Sequence, residues 1–328
     1  MVLTTEQLRV RIETAPLSAI GRYYRHAFRA MGTDCHIDFA ATSPAQAGRF
    51  KQFVAGWLAS FEATYSRFLP DSLVSRINAA AGKDWVAIDA DAASLFALCD
   101  WFHWSTHGIF DPATLPLLRA WDYHTPHAEP PGAEQVRTAL ALCGWSKLER
   151  RPDSVRLQNA GMGIDLGGIG KEYAVDRVFE MARDLGMANI MVNFGNDVRV
   201  AGEPPEGGLW RVGLEDPANP GQCWNGAALT DRAVTTSGDY LRNFQHGDHR
   251  YGHIIDPRTG YPVNNNCRAV SVIGATCTEA GVLSTTAFIL GPEEGIRFIS
   301  GFVQNEGCII ASDRRYTTRR FDEYLIER

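Results

Sequence analysis

Apolar residues along this chain recur with two periods, two and about three and a half, and the alternation of these periods marks out a mixed fold. The run Cys35–Phe39 (CHIDF) alternates after the turn at Met31, Gly32 and Thr33 and predicts a first strand. Phe50, Phe53, Val54, Trp57, Leu58, Phe61 and Tyr65 follow at spacings of three and four, which predicts a helix with one buried aromatic face. It is expected to end at SRFLPDS (Ser66 to Ser72), where Pro, Asp and Ser favour a turn. A second helix is predicted from about Asp91 to His107, stopped by Gly108.

Further along, Ala174, Val175, Val178, Phe179, Ala182 and Leu185 form a helical stripe, and Gly186 is placed to cap it. Residues 190–192 and 198–200 read as two strands joined by a short turn, and residues 270–273 and 308–310 as two more. Helices are expected at about 279–290 and 294–302. Without a regular βαβ rhythm, the class is α+β rather than a doubly wound sheet. The stretch 125–135 (TPHAEPPGAEQ) is linker-like, either a surface insertion or a boundary. Residues 1–27 read as a polar leader and 28–328 as one unit.

Composition narrows the function classes. The 328 residues carry a net charge of -6, against the basic excess of a nonspecific nucleic-acid binder, although a phosphate-bearing ligand needs only local donors. Seven cysteines, Cys35, Cys99, Cys143, Cys223, Cys267, Cys277 and Cys308, are scattered without a CxxC pair, which speaks against a zinc site or a disulfide framework. With no signal-like or membrane-spanning apolar run, the expected location is cytoplasmic.

Three constellations carry candidate chemistry. The glycine-rich run Gly163 to Lys171 fails the Walker pattern, because Asp165 stands where its first glycine belongs and Glu172 follows the lysine. It also lacks GxGxxG spacing. What remains is a glycine turn leading into a helix N-terminus, suited either to an anion or only to a tight bend. His253 and Asp256, within HIIDPRTG (His253 to Gly260), could be a general base and its orienting carboxylate, or a structural His and a turn-forming Asp. Ser237 and Gly238 could be site residues or a turn.

Read in order, these pieces resemble the ApbE family of flavin transferases. The blocks are MGT at Met31, SRFLPDS at Ser66, FDPAT at Phe110 with Pro116 and Trp121, IDLGGIGKEYAVD at Ile164 and VNFGND at Val192. TSGDY at Thr236, HIIDPRTG at His253 and AGVLST at Ala280 complete the series. The match covers about residues 28–312. It implies an α+β, T-fold-related globular unit with a FAD cleft, and transfer of FMN from FAD to a threonine of a flavoprotein acceptor. Met31 and Phe68 would border the adenine, and Ile109, Phe110 and Asp111 would line the dinucleotide. Asp165 and Lys171 would contact FAD, and Ile254 or Ile255 would pack on the flavin side. His253 would activate the acceptor threonine. Mg²⁺ would be held by an oxygen just before the Lys171 helix, at Gly168, and by an Asp and a Thr four residues apart, the Thr being Thr285.

The chain departs from that pattern at a few places. Gly281 replaces the metal Asp, Ser284 replaces a second acidic position, Phe68 replaces a Tyr, Glu172 replaces a Gly, and Asn196 stands in the usual Gly-Gly-Asp. A glycine offers no side-chain oxygen to a hard cation. The departure at Gly281 brings in a second reading, a catalytically silent FAD-binding protein serving as flavin carrier or partner of a redox assembly, and a third, a FAD pyrophosphatase. On sequence alone, Gly281→Asp is expected to restore metal-dependent activity. Glu279 could replace the lost carboxylate only if its helix started after it.

Overall fold

In a computed structural model, residues 3–123, 129–240, 243–247 and 249–326 are described. The chain opens with α1 (Thr5–Thr14), β1 (Leu17–Ile20), β2 (Tyr23–Ala30) and β3 (Thr33–Ala40). Helices α2 (Pro44–Tyr65) and α3 (Leu73–Ala79) lead to β4 (Val86–Ala87) and α4 (Ala90–Ser105). Next come α5 (Leu115–Trp121), α6 (Ala133–Ala141), and the hairpin β5 (Leu148–Arg151) and β6 (Ser154–Leu157). The middle holds α7 (Gly170–Asp184), β7 (Ile190–Phe194), β8 (Asp197–Ala201), β9 (Trp210–Glu215) and β10 (Cys223–Leu229). It continues with β11 (Arg232–Gly238), β12 (Asn243–His246) and β13 (His249–Gly252). The chain closes with β14 (Cys267–Gly274), α8 (Cys277–Leu290), α9 (Pro292–Ser300), β15 (Glu306–Ala311) and β16 (Arg315–Thr317).

Nine strands make one sheet in the order β1-β2-β3-β7-β8-β11-β14-β15-β16. Every pairing in it is antiparallel. Alternation along the strands sorts side chains to two faces. On β3 and β7, Ile37, Phe39, Ile190 and Val192 join the main core with α2 and α7. Val198, Val200, Val234 and Ile273 meet Trp210 and Leu214 of the β9–β10 hairpin. Helices and an antiparallel sheet thus share one globular unit, the α+β class expected.

The cap residues explain several helix starts. Ser43 accepts from the Gln46 amide with Pro44 at the first helical position of α2, and Asp89 accepts from Ala92 at the start of α4. Phe50, Val54, Leu58 and Phe61 are buried on α2 as expected, but Phe53 is 55% exposed and lies outside the buried face. It precedes Val54 by one residue, about 100° of helix, and so falls outside the buried arc of Ala47, Phe50, Val54, Leu58 and Phe61. The segment read as a leader is built into the fold: α1 buries Leu8 and Ile12 against the main core, and a capping box joins Thr4 and Gln7. Of the linker-like stretch, residues 125–128 lie outside the described residues, and 133–135 begin α6.

Candidate functional site

The glycine-rich loop bends at Asp165, whose carboxylate accepts from the Gly167 amide at 2.5 Å and pairs with Arg67. Gly167 and Gly168 are exposed, and α7 begins right after them with no side-chain cap. First-turn N–H groups and the helix dipole therefore face the same side as this bare backbone. Lys171, in the first turn, pairs with Asp197, a buried residue at the start of β8. Burial works against the ammonium charge, but Asp197 and then Glu172 outweigh it and push the Lys171 pKa up to about 12. A permanent cation thus stands at the helix N-terminus.

Helix α8 packs against α7, and two contacts fix how. Asp176 of α7 accepts from the amides of Cys277 and Thr278 and from the Thr278 hydroxyl, at 2.9, 2.8 and 2.6 Å. One turn earlier on α7, Glu172 meets Gly281, one turn later on α8. A β-carbon on Gly281 would lie 2.6 Å from Cγ of Glu172. The helices therefore run antiparallel in a defined register. Glu172 Oε2 is shielded from solvent and has no hydrogen-bond partner among the described residues. Burial, and then the Asp197 carboxylate, push the Glu172 pKa up to about 8, with Lys171 opposing.

Near the end of β11, an inner strand of the sheet, Ser237 shares hydrogen bonds with the hydroxyls of Ser284, at 2.7 Å, and Thr285, at 2.9 Å. The sequence singled out Ser237 without a role; here it joins β11 to the α8 position expected to bind metal. α8 starts at Cys277, ahead of Glu279, so the condition for Glu279 to replace the carboxylate is not met. Gly281→Asp is not the simple repair expected from sequence either, because the space for its side chain is taken by Glu172.

His253 follows β13, half-buried, on a segment held from both sides. Ile254 packs with Ile109 and Leu283, whereas Ile255 packs beside Trp121 and Val136, so the two isoleucines pin the segment between separate clusters. Asp256 makes the turn: its carbonyl accepts from Thr259 and Gly260, and its carboxylate binds Arg258. Its bonds are those of a turn former. Gly260 has φ of +80°, and its would-be β-carbon lies 2.9 Å from Val136, so conformation and space both demand glycine.

A cleft of about 300 Å³ opens at the other end of the loop, lined by Met31, Glu62, Phe68, Leu69, Arg11 and Leu8. Met31 sits in the two-residue turn between β2 and β3, and Phe68 on the turn after α2, so the fold brings the two expected adenine neighbours together. Arg67 lies 4.1 Å over the Phe68 ring while pairing with Asp165, and so ties this cleft to the glycine loop. Its role was not read from the sequence, because only the folded turn brings it to Asp165. Phe110 packs edge-on against Phe102. Asp111 accepts from the Ala113 and Trp145 amides, and its main work is to hold this wall. Burial raises its pKa.

Comparison with known proteins fits this arrangement. The ApbE family model matches residues 31–309. An FAD:protein FMN transferase of Treponema pallidum (strain Nichols) is 28% identical over 311 residues, covering 90% of this chain and 86% of its own. One of Klebsiella pneumoniae (strain 342) is 30% identical over 277 residues, covering 84% of each. Among solved structures, the ApbE protein of Thermotoga maritima superposes with a TM-score of 0.84 at 28% identity, over 93% of this chain and 100% of that one. The flavin transferase ApbE of Vibrio cholerae gives a TM-score of 0.82 at 26% identity, over 92% and 100%.

Proposed function

This chain belongs to the ApbE family and is an FAD:protein FMN transferase, and we propose the following division of labour among its residues. A threonine hydroxyl of the flavoprotein acceptor attacks the FMN-side phosphorus of FAD. The new P–O bond forms as the bond to the AMP phosphate breaks, and the hydroxyl proton passes to a ring nitrogen of His253. What supports His253 is the stiffness of its segment, held through Ile254 and Ile255 in two clusters. A hydroxyl is a poor nucleophile at neutral pH, so a positioned base is required.

The single observation that carries this reading is the charged Lys171 at the uncapped N-terminus of α7, behind the bare Gly167–Gly168 backbone. There the pyrophosphate meets an ammonium, the N-terminus of the helix and the side-chain-free backbone of Gly167 and Gly168. Asp197 orients the lysine. Met31 and Phe68 flank the adenine, with Arg67 extending the stack. Asp165 keeps the loop in shape through Arg67 and Gly167. Ile109 and Phe110 line the dinucleotide on a wall braced by Asp111, and Ile254, which shares a cluster with Ile109, faces the flavin side.

The residues present fit Mg²⁺. The hydroxyl of Thr285 and the exposed backbone of Gly168 offer hard oxygens, and the orphaned Glu172 oxygen marks a place a cation would satisfy. When bound, Mg²⁺ would neutralise phosphate charge and ease departure of AMP. A cytoplasmic location is part of the proposal, supported by six cysteines that serve as buried core side chains. Among the described residues, no helix is long and apolar enough to cross a membrane.

The test is to incubate the protein with FAD, Mg²⁺ and a flavin-accepting domain, then follow covalent flavin fluorescence on a denaturing gel. Label is expected with the wild type and not with His253→Ala, at unchanged FAD affinity. Transfer by His253→Ala at the wild-type rate would remove the general-base assignment.

A further inference from the structure

We infer that Glu172 is a ligand of the Mg²⁺ ion, so that the carboxylate of this site comes from α7 and not from α8. The inference rests on the magnesium reading above and deepens it.

Register carries the argument. Asp176 meets Cys277 and Thr278, and Glu172 meets Gly281. A step of one turn backward along α7 corresponds to one turn forward along α8. The next step along α8 leads from Gly281 to Thr285, whose hydroxyl also meets Ser237, and Gly168 lies in the bare loop just before α7 starts. Glu172 is thus in the first turn of α7, on the face that looks at α8. Its Oε2 is shielded and has no hydrogen-bond partner among the described residues, and the side chain lies beside the Asp197 carboxylate, a costly placement for two carboxylates unless a cation completes it.

Space supports the same assignment. Gly281 leaves room for Glu172, since a β-carbon there would sit 2.6 Å from Cγ and 3.2 Å from Cδ of the glutamate. Glu172 and Gly281 therefore form an exclusive pair: a side chain can enter this space from one helix or the other. Lys171 adjoins Glu172 but is engaged by Asp197. Its Oε1 is the oxygen nearest the Gly281 gap, and Oε2, which has no hydrogen-bond partner among the described residues, is left for a metal. The glutamate is longer than an aspartate by one methylene, which suits a ligand reaching over from the neighbouring helix.

Mn²⁺ binding to FAD-saturated protein, read by electron paramagnetic resonance, tests this without relying on turnover. Wild type should bind one Mn²⁺ at the site. Glu172→Gln, which keeps the shape, should weaken it by about tenfold or more, because loss of even an indirect partner costs about that much. Gly281→Asp alone should not tighten binding, whereas the exchange Glu172→Gly with Gly281→Asp should recover most of it. Mn²⁺ affinity unchanged in Glu172→Gln, while EDTA still abolishes transfer, overturns this inference and leaves the magnesium reading standing. Wild type that binds no Mn²⁺ and transfers FMN in EDTA overturns both. If Glu172→Gln fails to fold, the exchanged pair decides: a folded exchange variant that binds no Mn²⁺ counts against the shared site.

Discussion

The indole N–H of Trp121 donates to the carbonyl of Gly260 over 2.8 Å, in a buried position. This bond fastens the turn that follows His253 to the end of α5, with Tyr251 and Tyr261 packed on the same indole. Trp121→Phe keeps an aromatic ring but leaves the Gly260 carbonyl unpaired, which costs about 1–3 kcal/mol. We expect a lower midpoint in urea and slower FMN transfer, while FAD affinity stays near wild type. Equal transfer rates at saturating FAD would show that His253 is positioned without this bond.

Asp176 joins α7 to α8 through three hydrogen bonds and also pairs with Arg199 at 3.0 Å. Breaking a buried pair by removing one charge typically costs about 3–5 kcal/mol. Arg199 keeps a second partner here, Glu180 at 2.9 Å, so Asp176→Asn is expected near the bottom of that range. Equilibrium unfolding in urea measures it. A loss no greater than that of a surface substitution would mean that the helix pair is held by its apolar contacts alone.

Sequence and structure agree best where periodicity and caps coincide. The Phe50–Phe61 stripe and the Ala174–Ala182 stripe each announce a helix that the fold contains as α2 and α7. Helix α1 escaped because its apolar residues, Leu8, Val10 and Ile12, fall at every second position among charges instead of at helical spacing. Strands β12 and β13 escaped for a similar reason: each carries one aromatic, Phe244 and Tyr251, among polar residues, too few to show alternation. Within the site, the order of short blocks made single residues legible. Relations between distant blocks were not. Glu172 and Gly281 read as two separate departures, and only the helix register makes them one feature. Likewise Arg67 meets Asp165 only once the turn after α2 is folded.

His26 gives a pH prediction away from the site. The residue is 1% exposed, Nδ1 lies 3.2 Å from the Pro16 carbonyl, and Nε2 is buried without a hydrogen-bond partner among the described residues. Burial lowers its pKa to about 4, and Lys51 adds to that; the Pro16 carbonyl opposes. The fold therefore holds the neutral ring. Its contribution is complete above the unfolded value of about 6.5 and is lost as pH falls from there toward 4. In that window wild type should lose stability faster than His26→Phe, by up to about 1.4 kcal/mol per pH unit. Parallel melting-temperature curves for the two proteins from pH 7 to 4.5 would show that protonation of His26 is tolerated.

Arg67 is the residue through which the Met31–Phe68 cleft and the glycine loop should respond together. Its guanidinium covers the Phe68 ring at 4.1 Å and pairs with Asp165, and its side chain is 22% exposed. A cation–π contact at a partly exposed place is worth about 0.5–1 kcal/mol, and a partly exposed ion pair up to about 1. Together they correspond to about a tenfold change in affinity if FAD binding needs both. Arg67→Met should therefore weaken FAD binding by about that factor, measured by quenching of flavin fluorescence, with little change in melting temperature. Arg67→Lys retains the charge but not the planar fork, so it should recover only part of the loss. Full recovery in Arg67→Lys would show that the loop needs a positive charge beside Asp165 and that stacking on Phe68 contributes nothing to FAD affinity.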